Sequence, residues 1–174
     1  MWTTFAATVG ASAGGLTGLI FIVVAFRFDV VAVSQEYRNR AAQTVTLFIT
    51  IAITAALITI PQPINALGIE LIASSLASLT LLVRLDKAAR LGTGTRARPA
   101  LVIALGTFAA GILIAGAFCV AGSETAMNLY ALSALTGLAW GAYSAWVFLT
   151  QAGVEPAQAG FGHREQEAVQ GPLG

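Results

Sequence analysis

One carboxylate stands inside an otherwise apolar stretch of this sequence, in the segment PQPINALGIEL at residues 61–71. If a membrane helix begins at Pro63, Glu70 lies about 10 Å along it from the start. An ionised carboxylate at that depth costs several kcal/mol unless something compensates it. Three chemistries would do so: protonation of Glu70, hydrogen bonds from neutral side chains, or binding of a proton or metal cation. The neutral donors within reach are Gln62, Asn65, Thr59 and Ser74.

Hydroxyl side chains recur at four-residue spacing on both sides of this turn, as Thr46, Thr50 and Thr54 before it and as Ser74 and Ser78 after it. In an antiparallel hairpin the two rows can face each other and line a hydrated path. The alternatives are that each hydroxyl bonds the backbone carbonyl four residues earlier and that Glu70 lies among the lipid headgroups. The candidate intramembrane proton or cation site comprises Glu70, Ser74, Ser78, Thr50, Thr54, Gln62 and Asn65.

Membrane helices are the elements that must position these side chains. Of the 174 residues, 57% are hydrophobic and only 10% are charged, with a mean hydropathy of +0.81, whereas soluble domains are about 25% charged. Five apolar stretches are each close to the roughly 20 residues that cross a hydrocarbon core. The sequence therefore predicts an all-α, polytopic membrane protein with a single five-helix transmembrane domain over residues 1–150. The predicted spans are residues 5–26, 41–60, 63–83, 99–121 and 126–150.

Lysine and arginine occur in three segments, which fall on one side of the membrane if there are five spans. They stand at positions 27, 38 and 40, between 84 and 98, and at 164. Because loops rich in Lys and Arg stay cytoplasmic, this distribution predicts an outside N-terminus and an inside C-terminus in a plasma membrane. Residues 151–174 are polar and rich in Gly, Gln and Glu, which predicts a disordered cytoplasmic tail.

Small residues form a stripe on the first and on the fifth predicted span. The first carries Gly10, Gly14 and Gly18, and the fifth carries Ser133, Gly137 and Gly141. Such stripes let helix backbones approach closely. They indicate either an interface with another subunit or partner protein, or packing within the five-helix bundle itself.

A basic cluster lies in the predicted loop between the third and fourth spans. Juxtamembrane clusters of this kind attract anionic lipid headgroups, and they also set topology; both interpretations stay open here. Its members are Arg84, Lys87, Arg90, Arg96 and Arg98. Aromatic side chains near the predicted span ends, Trp2, Tyr37, Tyr130 and Trp146, are typical of an aromatic belt.

The remaining residues argue against an enzyme. The single cysteine, Cys119, and the single histidine, His163, supply no cysteine cluster, and no nucleophile–base pair can be assembled. The sequence therefore predicts no catalytic residue, no cofactor site and no metal-cluster site. A net charge of +1 gives no indication of a nucleic-acid partner.

Four stretches, taken together, carry a family resemblance: VGASAGGLTGLIF at 9–21, RNRAAQTVTLF at 38–48, PQPINALGIEL at 61–71 and NLYALSALTGLAWGAYSAWVFL at 128–149. Over residues 5–150 the chain resembles a family of small, uncharacterised actinobacterial membrane proteins with five spans. The resemblance implies a small-residue first helix and an LG-x-E-L motif around Glu70. This chain reads AFRFDVV at 25–31 where members read like SINLERI, so no role of that Asn carries over. Some family members are labelled as modulators of a membrane-bound AAA protease.

Two functions follow from these observations. The first is a non-enzymatic interaction or regulatory membrane protein, which acts by helix packing against a second copy or a membrane protein partner in the lipid bilayer. The second is an oligomeric proton or cation conduit that uses Glu70 and the Thr and Ser rows. The first predicts that Gly14→Leu or Gly141→Leu abolishes association, and the second predicts that Glu70→Gln abolishes flux.

Overall fold

The computed structural model describes residues 1–26, 35–93 and 99–151, and every regular element in them is an α-helix. The five helices are α1 (Trp2–Phe26), α2 (Gln35–Thr59), α3 (Ile64–Thr93), α4 (Pro99–Val120) and α5 (Thr125–Gln151). The predicted all-α class is therefore confirmed for the described residues. The predicted tail lies outside them, from residue 152 onward.

Three of the helices are long and apolar enough to cross a membrane. Their apolar stretches are Trp2–Phe26, Ala41–Thr59 and Ile64–Lys87, of 25, 19 and 24 residues. A shorter apolar stretch, Gly106–Val120, lies in α4. At about 1.5 Å per residue, the shortest of the three reaches about 28 Å, close to the thickness of a hydrocarbon core.

The helices form one bundle. α2 contacts α1, α3 and α5, α3 also contacts α4, and α4 contacts α5. All five helices contribute to the core, and its largest buried side chains include Phe48 of α2, Leu71 of α3, Ile112 of α4 and Tyr130 of α5. α1 packs mainly on α2 and only slightly on α5, so it lies at the periphery.

The helix that contains the third predicted span is longer than that span. α3 continues to Thr93, ten residues beyond the predicted end at 83, so Arg84, Lys87 and Arg90 lie on a helix and not in a loop. The extension, RLDKAARL at 84–91, is made of residues with good helix propensity. Such a segment remains helical after its apolar stretch ends, because charged side chains do not interrupt a helix.

The turn between α4 and α5 is closed by backbone hydrogen bonds. Gly122 adopts a positive φ of 71°, its N–H donates to the Cys119 carbonyl at 3.0 Å, and the Ser123 N–H donates to the Phe118 carbonyl at 2.9 Å. This is the Schellman arrangement, in which glycine tolerates the left-handed conformation without a Cβ clash. Its two donors satisfy carbonyls that would otherwise be left unpaired at the end of α4.

Candidate functional site

The turn between α2 and α3 is closed differently, because Pro61 and Pro63 have no N–H to donate. Side chains replace the missing donors. The Thr59 hydroxyl donates to the Ala56 carbonyl at 2.6 Å, and the Gln62 amide donates from Nε2 to the Leu57 carbonyl at 3.2 Å. The end of α2 is thus held by two side-chain donors together with the Ile60 N–H, which also reaches Leu57.

Gln62 makes a second hydrogen bond from the same nitrogen, to Glu70 Oε2 at 2.8 Å. Both side chains are half-buried. Of the neutral donors predicted for this carboxylate, Gln62 is therefore the one that the structure places on it. Because one amide nitrogen reaches both Leu57 and Glu70, the carboxylate of α3 is tied to the C-terminal end of α2.

The other predicted donors have different partners or positions. The Ser74 hydroxyl donates to the backbone carbonyl of Glu70 at 2.6 Å and does not bond its carboxylate. Thr59 bonds Ala56 as described, and Asn65 is exposed on the first turn of α3. The carboxylate thus keeps a single amide donor among the described residues.

The predicted hydroxyl rows of α2 and α3 do face each other at one point. Thr50 Oγ1 lies 2.7 Å from Ser78 Oγ, and Thr50 also lies 2.7 Å from the Thr46 carbonyl, to which it donates. Since a hydroxyl has one proton, Ser78 donates to Thr50. The α2 hydroxyls also bond their own backbone four residues earlier, as the alternative interpretation predicts: Thr46 to Ala42, Thr50 to Thr46 and Thr54 to Thr50.

Tyr130 of α5 makes a second hydroxyl contact with α2. It is 1% exposed, and its hydroxyl lies 3.3 Å from Thr54 Oγ1. Thr54 is fully buried and donates to the Thr50 carbonyl, so the Tyr130 hydroxyl is the donor between them. Its hydroxyl is therefore directed to an acceptor on a neighbouring helix, and its predicted place near a membrane interface stays a prediction.

A backbone-to-backbone contact between α3 and α4 was not predicted from the sequence. A Cβ placed on Gly68 would lie 2.7 Å from the Gly116 carbonyl oxygen, and one on Gly116 would lie 2.9 Å from the Gly68 carbonyl oxygen. Ser75, the residue after Ser74 of the predicted Ser74–Ser78 row, donates to the Ala109 carbonyl of α4 at 2.8 Å. Gly68 and Gly116 have large side chains four residues away on both sides, so no small-residue spacing marks them.

The α5 stripe is used inside the bundle. A Cβ on Gly137 would meet the Phe108 ring at 2.6 Å, one on Gly141 would meet the Phe48 ring at 2.5 Å, and Ser133 packs against Gly111. For this helix, packing within the bundle accounts for the stripe. Gly141→Leu is therefore not a clean test of association with a partner.

The α1 stripe is divided. A Cβ on Gly10 would lie 3.1 Å from Ala55 of α2, whereas Gly14, Gly15 and Gly18 have nothing within 4 Å of the position a Cβ would take. The last three are exposed. The bundle thus uses one end of the stripe and leaves the rest on its outer surface.

The structure describes two side chains of the predicted basic cluster, Arg84 and Lys87. Both are exposed and lie toward the end of α3. The Arg90 side chain, Arg96 and Arg98 lie outside the described part.

Within the described residues, no three His, Cys, Asp or Glu side chains gather as a metal-binding group. Cys119 is buried and unpaired in α4.

Comparisons of the chain with protein-family models, with curated proteins and with solved structures find no match. A functional hypothesis for this protein therefore depends on its own geometry.

Proposed function

We propose that this chain is a multi-pass protein of the plasma membrane, with five spans, an outside N-terminus and a cytoplasmic C-terminus. The three long apolar helices support residence in a membrane. The orientation is supported by charge: Arg38 stands at the start of α2, Arg84 and Lys87 stand toward the end of α3, and a short turn joins the two helices at their other ends. The resemblance to five-span actinobacterial membrane proteins is in accord with this topology.

We further propose a non-enzymatic interaction or regulatory role, in which the outer face of α1 packs against another membrane helix. The observation that carries this proposal is the composition of that face. In the first two-thirds of α1 every exposed side chain is small or a hydroxyl, namely Thr3, Thr4, Ala7, Thr8, Ala11, Ser12, Gly14, Gly15 and Gly18. The large exposed apolar side chains of this helix begin only at Leu19.

The other helices have a different surface. Each presents large apolar side chains outward, for example Ile53 on α2, Leu76 on α3, Phe118 on α4 and Leu132 on α5. Large side chains suit contact with lipid tails, whereas small ones allow a second backbone to approach closely. The Thr8 hydroxyl donates to the Thr4 carbonyl, and the Ser12 hydroxyl donates to the Thr8 carbonyl. Both hydroxyl donors on this face are therefore satisfied within α1.

A second copy of this chain is the first partner to test. Two copies inserted in the same membrane with the same topology present α1 in parallel, which is the geometry of small-xxx-small helix dimers. Such a contact is isologous, because the same face serves both copies.

The test is the oligomeric state in lipid nanodiscs or liposomes, measured by intermolecular energy transfer on wild type, Gly14→Leu and Ala117→Leu. Ala117 is an exposed small residue of α4 and provides the matched control. We expect Gly14→Leu to reduce association at least tenfold and Ala117→Leu to leave it unchanged. Equal association of wild type and Gly14→Leu would reject the α1 face.

A proton or cation conduit is the competing proposal. The observation that favours it is the contact of the Thr50 and Ser78 hydroxyls across α2 and α3, with Ser78 on the same helix as Glu70 and about 12 Å along it. In one copy these hydroxyls are hydrogen-bonded and Thr54 is fully buried, so a path requires the α2–α3 seam to open. Proton and monovalent-cation flux into liposomes tests this directly. Flux in wild type that Glu70→Gln removes, with assembly intact, would establish the conduit; absence of flux in both would reject it.

A further inference from the structure

The N-terminal part of α2 carries a side-chain donor that meets no acceptor in the described part of the chain. The Nδ2 atom of Asn39 is buried and has no hydrogen-bond partner there, although the residue as a whole is half-buried. One turn deeper, Gln43 is 5% exposed, and its amide makes no hydrogen bond to another described residue. Because a buried amide donor without an acceptor destabilises the folded state, this end of α2 favours a ligand that brings an acceptor oxygen.

Both amides lie on the side of α2 that faces α3. At 3.6 residues per turn, Asn39, Gln43 and Thr50 fall within about 40° of one another around the helix, and Thr50 contacts Ser78 of α3 at 2.7 Å. The next residue of α3 on the Ser78 side toward this end is Leu82, which is buried and apolar. The facing helix therefore supplies no side-chain acceptor at Leu82.

Basic side chains lie at the same level of the bundle. Because α2 and α3 are antiparallel, Arg84 stands about 9 Å and Lys87 about 14 Å beyond Ser78, and the two amides stand about 10 and 16 Å beyond Thr50 in the same direction. Arg84 and Lys87 are both exposed. Arg38 also stands at this end, as does the half-buried acid Asp86, and each of these two has a partner. The described side chains thus combine an unmet donor with an excess of positive charge.

An unmet N–H donor beside positive charge selects a ligand with anionic oxygen atoms, and a phosphate diester carries them. The apolar stretch of α2 begins at Ala41 and that of α3 ends at Lys87, so the amide of Asn39 lies at the boundary of the hydrocarbon core, where phospholipid phosphates lie. The terminal torsion of an asparagine side chain has a broad distribution, which allows the nitrogen of a half-buried Asn39 to turn toward the surface.

We propose that this end of the bundle binds the headgroup of an anionic phospholipid, with Asn39 Nδ2 as the donor to a phosphate oxygen. Arg84 and Lys87 supply the charge that favours an anionic over a zwitterionic lipid, as basic residues beside a membrane span do. The site requires residence in a membrane but not the association proposed for the outer face of α1, because none of its residues belongs to that helix.

The test uses the purified full chain in dodecyl maltoside, a detergent without phosphate. Phosphatidylglycerol, phosphatidylcholine or inorganic phosphate is added at constant ionic strength. The midpoint of thermal unfolding gives the apparent affinity, and native mass spectrometry counts the retained lipid. The variants are Asn39→Leu and the double variant Arg84→Gln, Lys87→Gln. Asn65→Leu removes the same amide at an exposed position near the opposite end of α3 and is the matched control.

We expect phosphatidylglycerol to raise the unfolding midpoint of wild type and of Asn65→Leu, because a ligand that binds only the folded state stabilises it. Asn39→Leu should bind this lipid about tenfold more weakly or worse, since a hydrogen bond to a charged group is lost. Without lipid, its midpoint should equal or exceed that of wild type, because the unmet donor is gone. The double variant should reduce the preference for phosphatidylglycerol over phosphatidylcholine.

If Asn39→Leu does not fold, Asn39→Asp replaces it. That variant keeps the size of the side chain, but its ionised carboxylate cannot donate, so we expect the same loss of phosphatidylglycerol affinity.

Three results would overturn the proposal. One is equal affinity of wild type and Asn39→Leu for phosphatidylglycerol. Another is equal stabilisation of wild type by phosphatidylglycerol and phosphatidylcholine. The third is an equal rise with inorganic phosphate alone, which would assign the site to a soluble phosphate. None of these results changes the energy-transfer test of α1 association, so the two proposals can fail separately.

Discussion

Glycines of α1 and glycines of the α3–α4 pair have opposite surroundings, although all of them lie on apolar helices. Gly68 and Gly116 are buried and face each other's backbone carbonyls at 2.7 and 2.9 Å from the position of a Cβ. Gly14 and Gly18 have nothing within 4 Å and are exposed. On these three helices the regularly spaced Gly14 and Gly18 are thus open, and the isolated Gly68 and Gly116 bring two backbones together.

This difference teaches that spacing identifies a smooth helix face but not what covers it. Helices in lipid gain by close backbone approach, and a single glycine on each helix is enough where two helices cross at one point. A repeated stripe is needed only where two helices run side by side over several turns. Substitutions at these glycines should therefore separate the stability of the bundle from association between bundles.

The largest effect is expected at the α3–α4 crossing. Gly116→Leu places a side chain where a Cβ alone would lie 2.8 Å from Ile72 and 2.9 Å from the Gly68 backbone oxygen. Because a backbone cannot move aside as a side chain can, we expect destabilisation by about 3 kcal/mol or more. Denaturant unfolding in micelles, followed by tryptophan fluorescence, measures it. A variant as stable as wild type would show that α3 and α4 do not cross here.

A smaller loss is expected in the α5 stripe. A Cβ at position 141 would lie 2.5 Å from the Phe48 ring and 3.2 Å from the Leu47 side chain, and both side chains can reorient. Overpacking of this kind costs about 1–3 kcal/mol. The double variant Gly141→Leu, Phe48→Ala should recover part of the loss in the same unfolding experiment. If the double variant loses as much unfolding free energy as the two single variants together, the two residues are not in contact.

A near-neutral result is expected for Gly10→Ala, where α1 meets α2. The added methyl group would lie 3.1 Å from the Ala55 Cβ, a tight contact that requires a small shift. Replacement of glycine in a helix gains about 0.5–1 kcal/mol, and this offsets the contact. We expect a net change within about 1 kcal/mol by thermal unfolding, and Gly10→Leu should be clearly worse than Gly10→Ala.

The smallest effect on folding is expected for Gly14→Leu. Since no atom lies within 4 Å of the new Cβ, the free energy of unfolding under dilute, monomeric conditions should change by less than about 0.5 kcal/mol. Circular dichroism during chemical unfolding measures it, at a protein-to-lipid ratio where wild type is monomeric. A large loss of stability here would place Gly14 inside the bundle and remove it from the proposed interface.

In the candidate site, too, residue spacing predicts some contacts and not others. Gln62 was among the donors predicted for Glu70, because two prolines force a short turn that brings the residue between them close to the next helix. Ser75 was not predicted, although it is adjacent to Ser74. The two serines point about 100° apart on a helix, and only the position of α4 decides that Ser75 is the one that makes an interhelical hydrogen bond.

The sequence by itself determined the elements: an all-helical chain, the approximate limits of five helices, the tight turn at residues 60–63 and the segregation of Lys and Arg. These follow from local properties, since hydropathy, proline geometry and charge act within a few residues of chain. Only the tertiary structure decided which glycines are buried, that Tyr130 bonds Thr54, and that Glu70 is tied to the end of α2. Those are contacts between residues that are distant in sequence or separated by a turn, and they depend on helix rotations that no local pattern specifies.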